Sequence, residues 1–225
     1  MTASPKQVTG SPNTQTLFRG IPVNSVLDER RVALHGTPEW FKARQHGVSA
    51  TAVANACTAA GFQEEVAKAV FPEDNQIPDN EYMKFGRDWE QWIVDNLPAE
   101  YGFIGNQWLY HAQDEKWHLA TPDGISADGR IIAEVKTTGK DWNTVPVRYI
   151  RQIQWQIYVM DAEACVLGWL LRMDSPHGFM PGWFEPKVQL IERDEVMIAE
   201  LKAVATKLQY ESVMGMQHRE EQERG

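Results

Sequence analysis

The sequence predicts a mixed α/β fold, a central mixed sheet flanked by helices. Three observations predict it. Helical start and stop signals fill residues 37–98, strand-like runs follow over residues 102–137, and a helix, two more strands and a last helix close the chain. The 43% hydrophobic and 24% charged fractions of the 225 residues suit a single soluble core.

Residues 1–25 carry three prolines, two glycines and no apolar period, so a mobile or irregular N-terminal arm is expected there. Thr37-Pro38-Glu39 supplies a helix N-cap followed by proline at the first helical position, with Gly47 near the stop. Ser49 caps an alanine-rich helix expected to end at Gly61, and a third helix breaks at Phe71-Pro72. Residues 79–96 place Tyr82, Phe85, Trp89, Trp92 and Ile93 at helical spacings and stop before Pro98. Strands are expected over residues 102–110, 117–121 and 131–137, then a helix over 146–160. Further strands over 163–172 and 183–191 lead into a helix from Asp194 to about Tyr210. Residues 26–215 therefore read as one domain and 216–225 as a charged, solvated or frayed tail.

Composition excludes several classes. The longest apolar run, residues 164–171, is far short of the ~20 residues that a membrane helix needs. The N-terminus lacks the basic start and apolar core of a signal peptide. Cys57 and Cys165 stand alone, which leaves no iron–sulfur or zinc site and no disulfide framework, and points to a reducing, cytoplasmic compartment. The net charge of −9 argues against nucleic acid as a partner, because a basic footprint is the usual signature. The objection is limited. A nuclease needs local positive charge and bound metal, and its acidic site itself adds to the negative total.

The chemistry lies in Thr121-Pro122-Asp123-Gly124, Asp128-Gly129 and Ala133-Glu134-Val135-Lys136. Asp-Gly between apolar runs signals a two-residue type I′ hairpin turn. With Asp128-Gly129 as that turn, Arg130 pairs with Ala127, Ile132 with Ile125, and Glu134 with Asp123. Two carboxylates directly opposed are destabilising unless a cation lies between them. Glu134 and Lys136, two apart in a strand, share a face. Hard oxygen ligands of this kind suit Mg²⁺, which takes one or two protein carboxylates plus waters and substrate phosphate. A lysine beside metal and partly buried is expected to have a lowered pKa and to help activate water. The flanking Ile131, Ile132, Ala133 and Val135 make the strand a buried one, where such charges are costly without a site to serve.

Pro122-Asp123 followed by Glu134-Val135-Lys136 resembles the PD-(D/E)xK nuclease pattern. The remainder resembles the lambda-type phage exonucleases, or YqaJ-like viral recombinases, in four ordered stretches. These are Trp40-Phe41-Lys42-Ala43-Arg44 with Gly47-Val48-Ser49-Ala50-Thr51; Phe85-Gly86-Arg87-Asp88-Trp89-Glu90; Ala120-Thr121-Pro122-Asp123-Gly124; and the residues 151–158, with Gln152, Gln154, Gln156 and Tyr158. The resemblance implies a restriction-endonuclease-like fold and a Mg²⁺-dependent exonuclease (Mn²⁺ as a substitute) that degrades double-stranded DNA from its ends, 5′→3′, in phage recombination. It implies Asp123, Glu134 and the Val135 carbonyl as metal ligands, with Glu90 helping to hold a second ion. Lys136 would orient or activate the water. Gln152 would support the water or the scissile phosphate, with Gln154 and Tyr158 as the other choices on that helix. Arg44 would grip a terminal 5′-phosphate, and Thr51 stands where the family usually has serine. A homotrimeric ring, a single-strand annealing protein as partner and the host-cell cytoplasm as location are implied in the same way.

Trp142 and Lys140, in the loop after the catalytic strand, are expected to contact DNA, together with Arg148. Trp89, Trp92 and Trp155 lie on helices and are expected to pack in the core. His111, His118 and His177 show no metal-ligand spacing. Two alternatives remain open: an endonuclease with the same core, and a non-catalytic DNA-binding or assembly module that keeps the fold.

Overall fold

The structure is a computed structural model that describes residues 25–75 and 78–224. The expected N-terminal arm lies outside these residues, apart from Ser25 at the start of the first helix. In order, the elements are α1 (Ser25–Glu29), β1 (Arg31–Leu34), α2 (Pro38–His46), β2 (Val48–Ser49), α3 (Ala50–Ala56) and α4 (Ala59–Val70). Then come α5 (Glu81–Asp95), β3 (Ile104–Gly105), β4 (Trp108–His111), β5 (His118–Ala120), β6 (Gly124–Ile125) and β7 (Ile131–Thr138). The chain ends with α6 (Val147–Met160), β8 (Ala164–Ser175), β9 (Gly178–Pro181), β10 (Lys187–Glu192) and α7 (Glu195–Arg224).

The larger sheet runs β10-β8-β7-β6-β3, with β9 paired to β8; β7 and β8 are parallel and joined through α6, and the other pairs are antiparallel. A smaller sheet runs β1-β4-β5-β2. Residues of β7 alternate between two cores. Ile132 packs with Trp155, Ile157 and Leu201 from α6 and α7, while Ala133 and Val135 pack with Ile93, Val94 and Leu97 from α5 and its end. Burial of these apolar side chains is what seats the helices on the sheet. Gly168 of β8 lies opposite Val135. A Cβ there would stand 2.6 Å from Leu97 Cδ2, so glycine lets α5 approach the strand closely.

Several boundaries differ from the expectation, each for a local reason. The alanine-rich helix stops at Cys57, not Gly61, because Thr58 caps a new helix by accepting the Gly61 N–H at 3.1 Å. The run over 102–110 splits into β3 and β4 at Asn106, whose buried side chain donates to the carbonyls of Trp108 and Pro122 and accepts the Trp108 N–H. Residues 216–224 continue α7 rather than fraying. Arg219 donates to the Val70 carbonyl at 2.7 Å and pairs with Glu73, which ties this segment to the end of α4.

Candidate active site

The hairpin register is the expected one, with Ile125 opposite Ile132 and Gly124 opposite Ala133. The turn is not. Gly129 has a positive φ of 75° and Asp128 does not, so no type I′ turn forms. Instead the Gly129 N–H donates to the Ser126 carbonyl, the Ser126 N–H to the Ile131 carbonyl, and the Asp128 carboxylate holds the Arg130 N–H and the Ser126 hydroxyl. The loop widens by one residue on each side, which removes the Ala127–Arg130 pair and leaves the register intact.

One step beyond Gly124, the ladder ends at Asp123. Its N–H donates to the Ala133 carbonyl at 2.9 Å, and its own carbonyl accepts from Asn106 on the other side. Its Oδ2 then accepts the Val135 N–H at 2.7 Å, so the side chain takes the place of a ladder carbonyl. Glu134, only 2% exposed, lies alongside on β7. Glu134 Oε1 accepts from Gln152 at 2.6 Å and from Lys136, and its Oε2 accepts from Gln156 at 2.7 Å. Glu90 reaches the same region from α5 and lines a cleft of about 600 Å³ with Val135, Lys136 and Thr137.

Three carboxylates, Glu134 buried and Asp123 and Glu90 half-buried, thus lie together with the half-buried ammonium group of Lys136. Burial, then the charges of Glu134 and Glu90, push Asp123 well above the usual carboxylate range. Burial, then Glu134, raises Glu90 as well. Lys136 departs from the expectation: burial pulls it down, but Glu134, Asp123 and the hydrogen bond to Glu134 outweigh that, and its pKa lies above that of a free lysine. Lys136 is therefore held charged.

The donor set fits a hard divalent cation. Among the described residues no group of three or more His, Cys, Asp or Glu side chains stands converged on a metal position. Two carboxylates and a carbonyl suffice for Mg²⁺, and an ionised carboxylate offers about four lone-pair sites, of which Glu134 uses three. Asp123 Oδ1 is the other available oxygen. The excess negative charge is what a cation would offset. Gln156, which donates to Glu134 and lies 3.5 Å from the Thr121 carbonyl, keeps its Oε1 buried without a hydrogen-bond partner, as does the Thr121 hydroxyl.

The family model of the YqaJ-like viral recombinase domain matches residues 39–163, more than half of the chain. The chain belongs to this family. Among solved structures it resembles the alkaline exonuclease of Laribacter hongkongensis, at 23% identity and a TM-score of 0.64, covering 84% of this chain and 98% of that one. The same enzyme in complex with dAMP matches at 24% identity, with a TM-score of 0.63 and the same coverage. A phage-related exonuclease from Haemophilus somnus 129PT matches at 14% identity and a TM-score of 0.60, covering 77% of this chain and 96% of that one. No curated protein matches. At these identities the likeness establishes the fold, a restriction-endonuclease-like mixed sheet flanked by helices.

Within this YqaJ-like domain the structure gathers Glu90, Asp123, Glu134, Val135, Lys136 and Gln152, and it adds Gln156. The missing signal was helical spacing: Gln152 and Gln156 are four apart and share the face of α6 turned to β7. Gln154, on the opposite side, donates to the Glu192 carbonyl and accepts the Asp194 N–H, joining β10 to α7. Tyr158 donates to Asp114 at 2.6 Å and meets His118 Nδ1 at 2.8 Å, so neither of these two alternatives lies at the carboxylates.

Trp142 is committed to the protein, its ring centroid 5.0 Å from Tyr149 and 5.6 Å from Trp169. Lys140 stays exposed, while its backbone closes a turn onto the Thr138 hydroxyl. Arg44 lines a separate cavity of about 300 Å³ with Glu65, Lys68, Gln209 and Ser212. It stacks over Trp40 at 4.5 Å, and burial lowers its pKa. Thr51 is exposed in the first turn of α3, where Ser49 is the cap.

Proposed function

We propose that this chain is a metal-dependent deoxyribonuclease that hydrolyses phosphodiester bonds from the ends of double-stranded DNA, 5′→3′. The observation that carries the reading is the register of β6 on β7, beside which Asp123 accepts the Val135 N–H and the half-buried Lys136 pairs with Glu134. Membership of a viral recombinase family, and a fold shared with exonucleases from two bacteria, support the same class.

Asp123, Glu134 and the Val135 carbonyl would hold Mg²⁺, with Mn²⁺ as a substitute, and Glu90 would hold a second ion or its waters. Such ions supply a more acidic bound water and neutralise charge on the leaving oxygen. Gln152 and Gln156 fix the Glu134 carboxylate in place, as outer partners of ligands do. Lys136, held charged, donates a hydrogen bond toward the phosphate or the water. Arg44 and Thr51 are proposed to meet the DNA end, Arg44 as anchor for a terminal 5′-phosphate. A trimeric ring and a single-strand annealing partner complete the reading.

The test uses Mg²⁺ and three DNAs: linear with a 5′-phosphate, linear without it, and covalently closed circles. Loss of the linear forms alone, abolished by Asp123→Ala, is the expected result. Degraded circles would make the enzyme an endonuclease. Wild type indistinguishable from Asp123→Ala on all three would leave a non-catalytic module. A preference for phosphorylated ends that disappears in Arg44→Ala would support the anchor.

A further inference from the structure

We propose that Arg172, seated on the stacked rings of Tyr82 and Phe179, grips a backbone phosphate of the DNA strand one to three nucleotides from the cut. This rests on the nuclease reading above and adds a substrate contact to it. Arg172 lies toward the end of β8, where the strand leaves the core and pairs with β9. Its guanidinium carbon stands 4.4 Å from the Tyr82 ring centroid and 5.0 Å from that of Phe179. The two rings stack on each other at 4.9 Å and 30°. One residue each from α5, β8 and β9 therefore builds the seat.

The seat faces the cleft that Glu90 lines. Arg172 and Tyr82 line it together with Glu90, Lys136, Arg148 and Tyr149. Tyr82 precedes Glu90 by eight residues on α5, which at 1.5 Å per residue is about 12 Å along the helix. That is the reach of a few nucleotides, not of the scissile group itself.

The chemistry selects phosphate. Ring contacts occupy a face of a guanidinium and leave its in-plane N–H donors open, and those donors match a phosphate bidentately. Among the described residues the Arg172 guanidinium makes no ion pair and donates no hydrogen bond; its contacts are the two rings. On α5, Lys84 pairs with Asp88 and Arg87 with Asp79, and in the cleft Lys136 pairs with Glu134 while Arg148 donates to the Tyr149 hydroxyl at 3.0 Å. In a chain of net charge −9, a guanidinium left without a carboxylate, in a cleft it shares with Lys136 and Arg148, is suited to an anion that arrives with the substrate. Contact with the two rings restricts the side chain before binding, so less freedom is lost on contact.

The experiment compares wild type, Arg172→Gln, Arg172→Lys and Tyr82→Ala on a short 5′-phosphorylated duplex, with Ca²⁺ in place of Mg²⁺ to hold off cleavage. Affinity is read by fluorescence anisotropy over a salt series, and thermal melts confirm that each variant folds. Arg172→Gln should weaken Kd about tenfold and lower the salt slope by about one. Arg172→Lys should restore the slope but not the full affinity, and Tyr82→Ala should weaken binding about threefold. A neutral methylphosphonate walked along the strand should cost wild type about tenfold at one linkage and cost Arg172→Gln nothing more there. With Mg²⁺, KM should rise about tenfold in Arg172→Gln and kcat should stay within about threefold. Wild-type Kd and salt slope in Arg172→Gln, or undiminished sensitivity to every methylphosphonate, overturns the proposal. Cleavage by wild type and Asp123→Ala, run beside it, reads the nuclease reading separately, and the Kd comparison decides Arg172 in either case.

Discussion

Asp123 gives its carbonyl to Asn106 and one carboxylate oxygen to the Val135 N–H, so its second oxygen is fixed in space beside Glu134 by backbone alone. That preorganisation has a cost in the metal-free protein, because burial and two neighbouring carboxylates raise the pKa of Asp123. Asp123→Asn keeps an acceptor for Val135 and removes a buried charge. It should abolish cleavage, yet raise the melting temperature in EDTA by roughly 2–4 °C for about 1 kcal/mol gained; a lower melting temperature would contradict the account of crowded carboxylates. The three glutamines of α6 give a sharper comparison. Gln152→Leu and Gln156→Leu should each lower kcat by about 10–100-fold, as expected for partners that orient a ligand. Gln154→Leu should leave kcat near wild type and lower stability by about 1 kcal/mol, since its bonds tie β10 to α7. Equal kcat losses in all three would break the assignment.

At the scale of elements, α6 is the support on which the site depends. Its inner face holds Glu134, its last carbonyls at Val159 and Met160 accept from the buried Arg30 at 2.7 and 3.0 Å, and its Tyr158 docks on β5 through His118. Burial drives the His118 pKa down to about 4, against the raising influence of Glu115 and Asp114. The folded protein keeps this imidazole neutral, whereas the unfolded chain binds a proton below about 6.5. Stability from this group is therefore complete above pH 6.5 and falls as pH drops from 6.5 to 4. Urea unfolding at pH 7 and pH 5 should show a larger loss in wild type than in His118→Phe. Equal losses would mean that His118 is not the group that titrates.

For the molecule as a whole, the prediction concerns linkage between metal and fold. A cation that binds the folded state at 100 times its Kd stabilises by about 2.7 kcal/mol. Mg²⁺ should accordingly raise the melting temperature of wild type by several degrees and leave Glu134→Gln almost unmoved, a readout independent of DNA cleavage. No rise in wild type would count against the site.

Much of this site was legible in the chain because its signals are local. Asp-Gly set a hairpin, the alternation of Ile132, Ala133, Glu134 and Val135 set a two-faced strand, and parity then placed Asp123 against Glu134 even though the turn type differs. The family is legible for the same reason, since its motifs are short and ordered along residues 39–163. Tertiary structure decided what depends on long-range packing. It chose Gln156 over Gln154, because the sheet picks which face of α6 is inner. It turned Trp142 into the protein by offering Trp169 and Tyr149 as partners, and it raised the Lys136 pKa by setting Glu134 of β7 and Asp123, just before β6, beside it. Arg172, a strand-end arginine with no motif around it, became notable only when α5 and β9 brought rings beneath it. The sequence by itself determined which groups are candidates for the chemistry and how the hairpin strands are paired; only the packed fold decided which remaining side chains meet them, since those meetings join segments far apart in the chain.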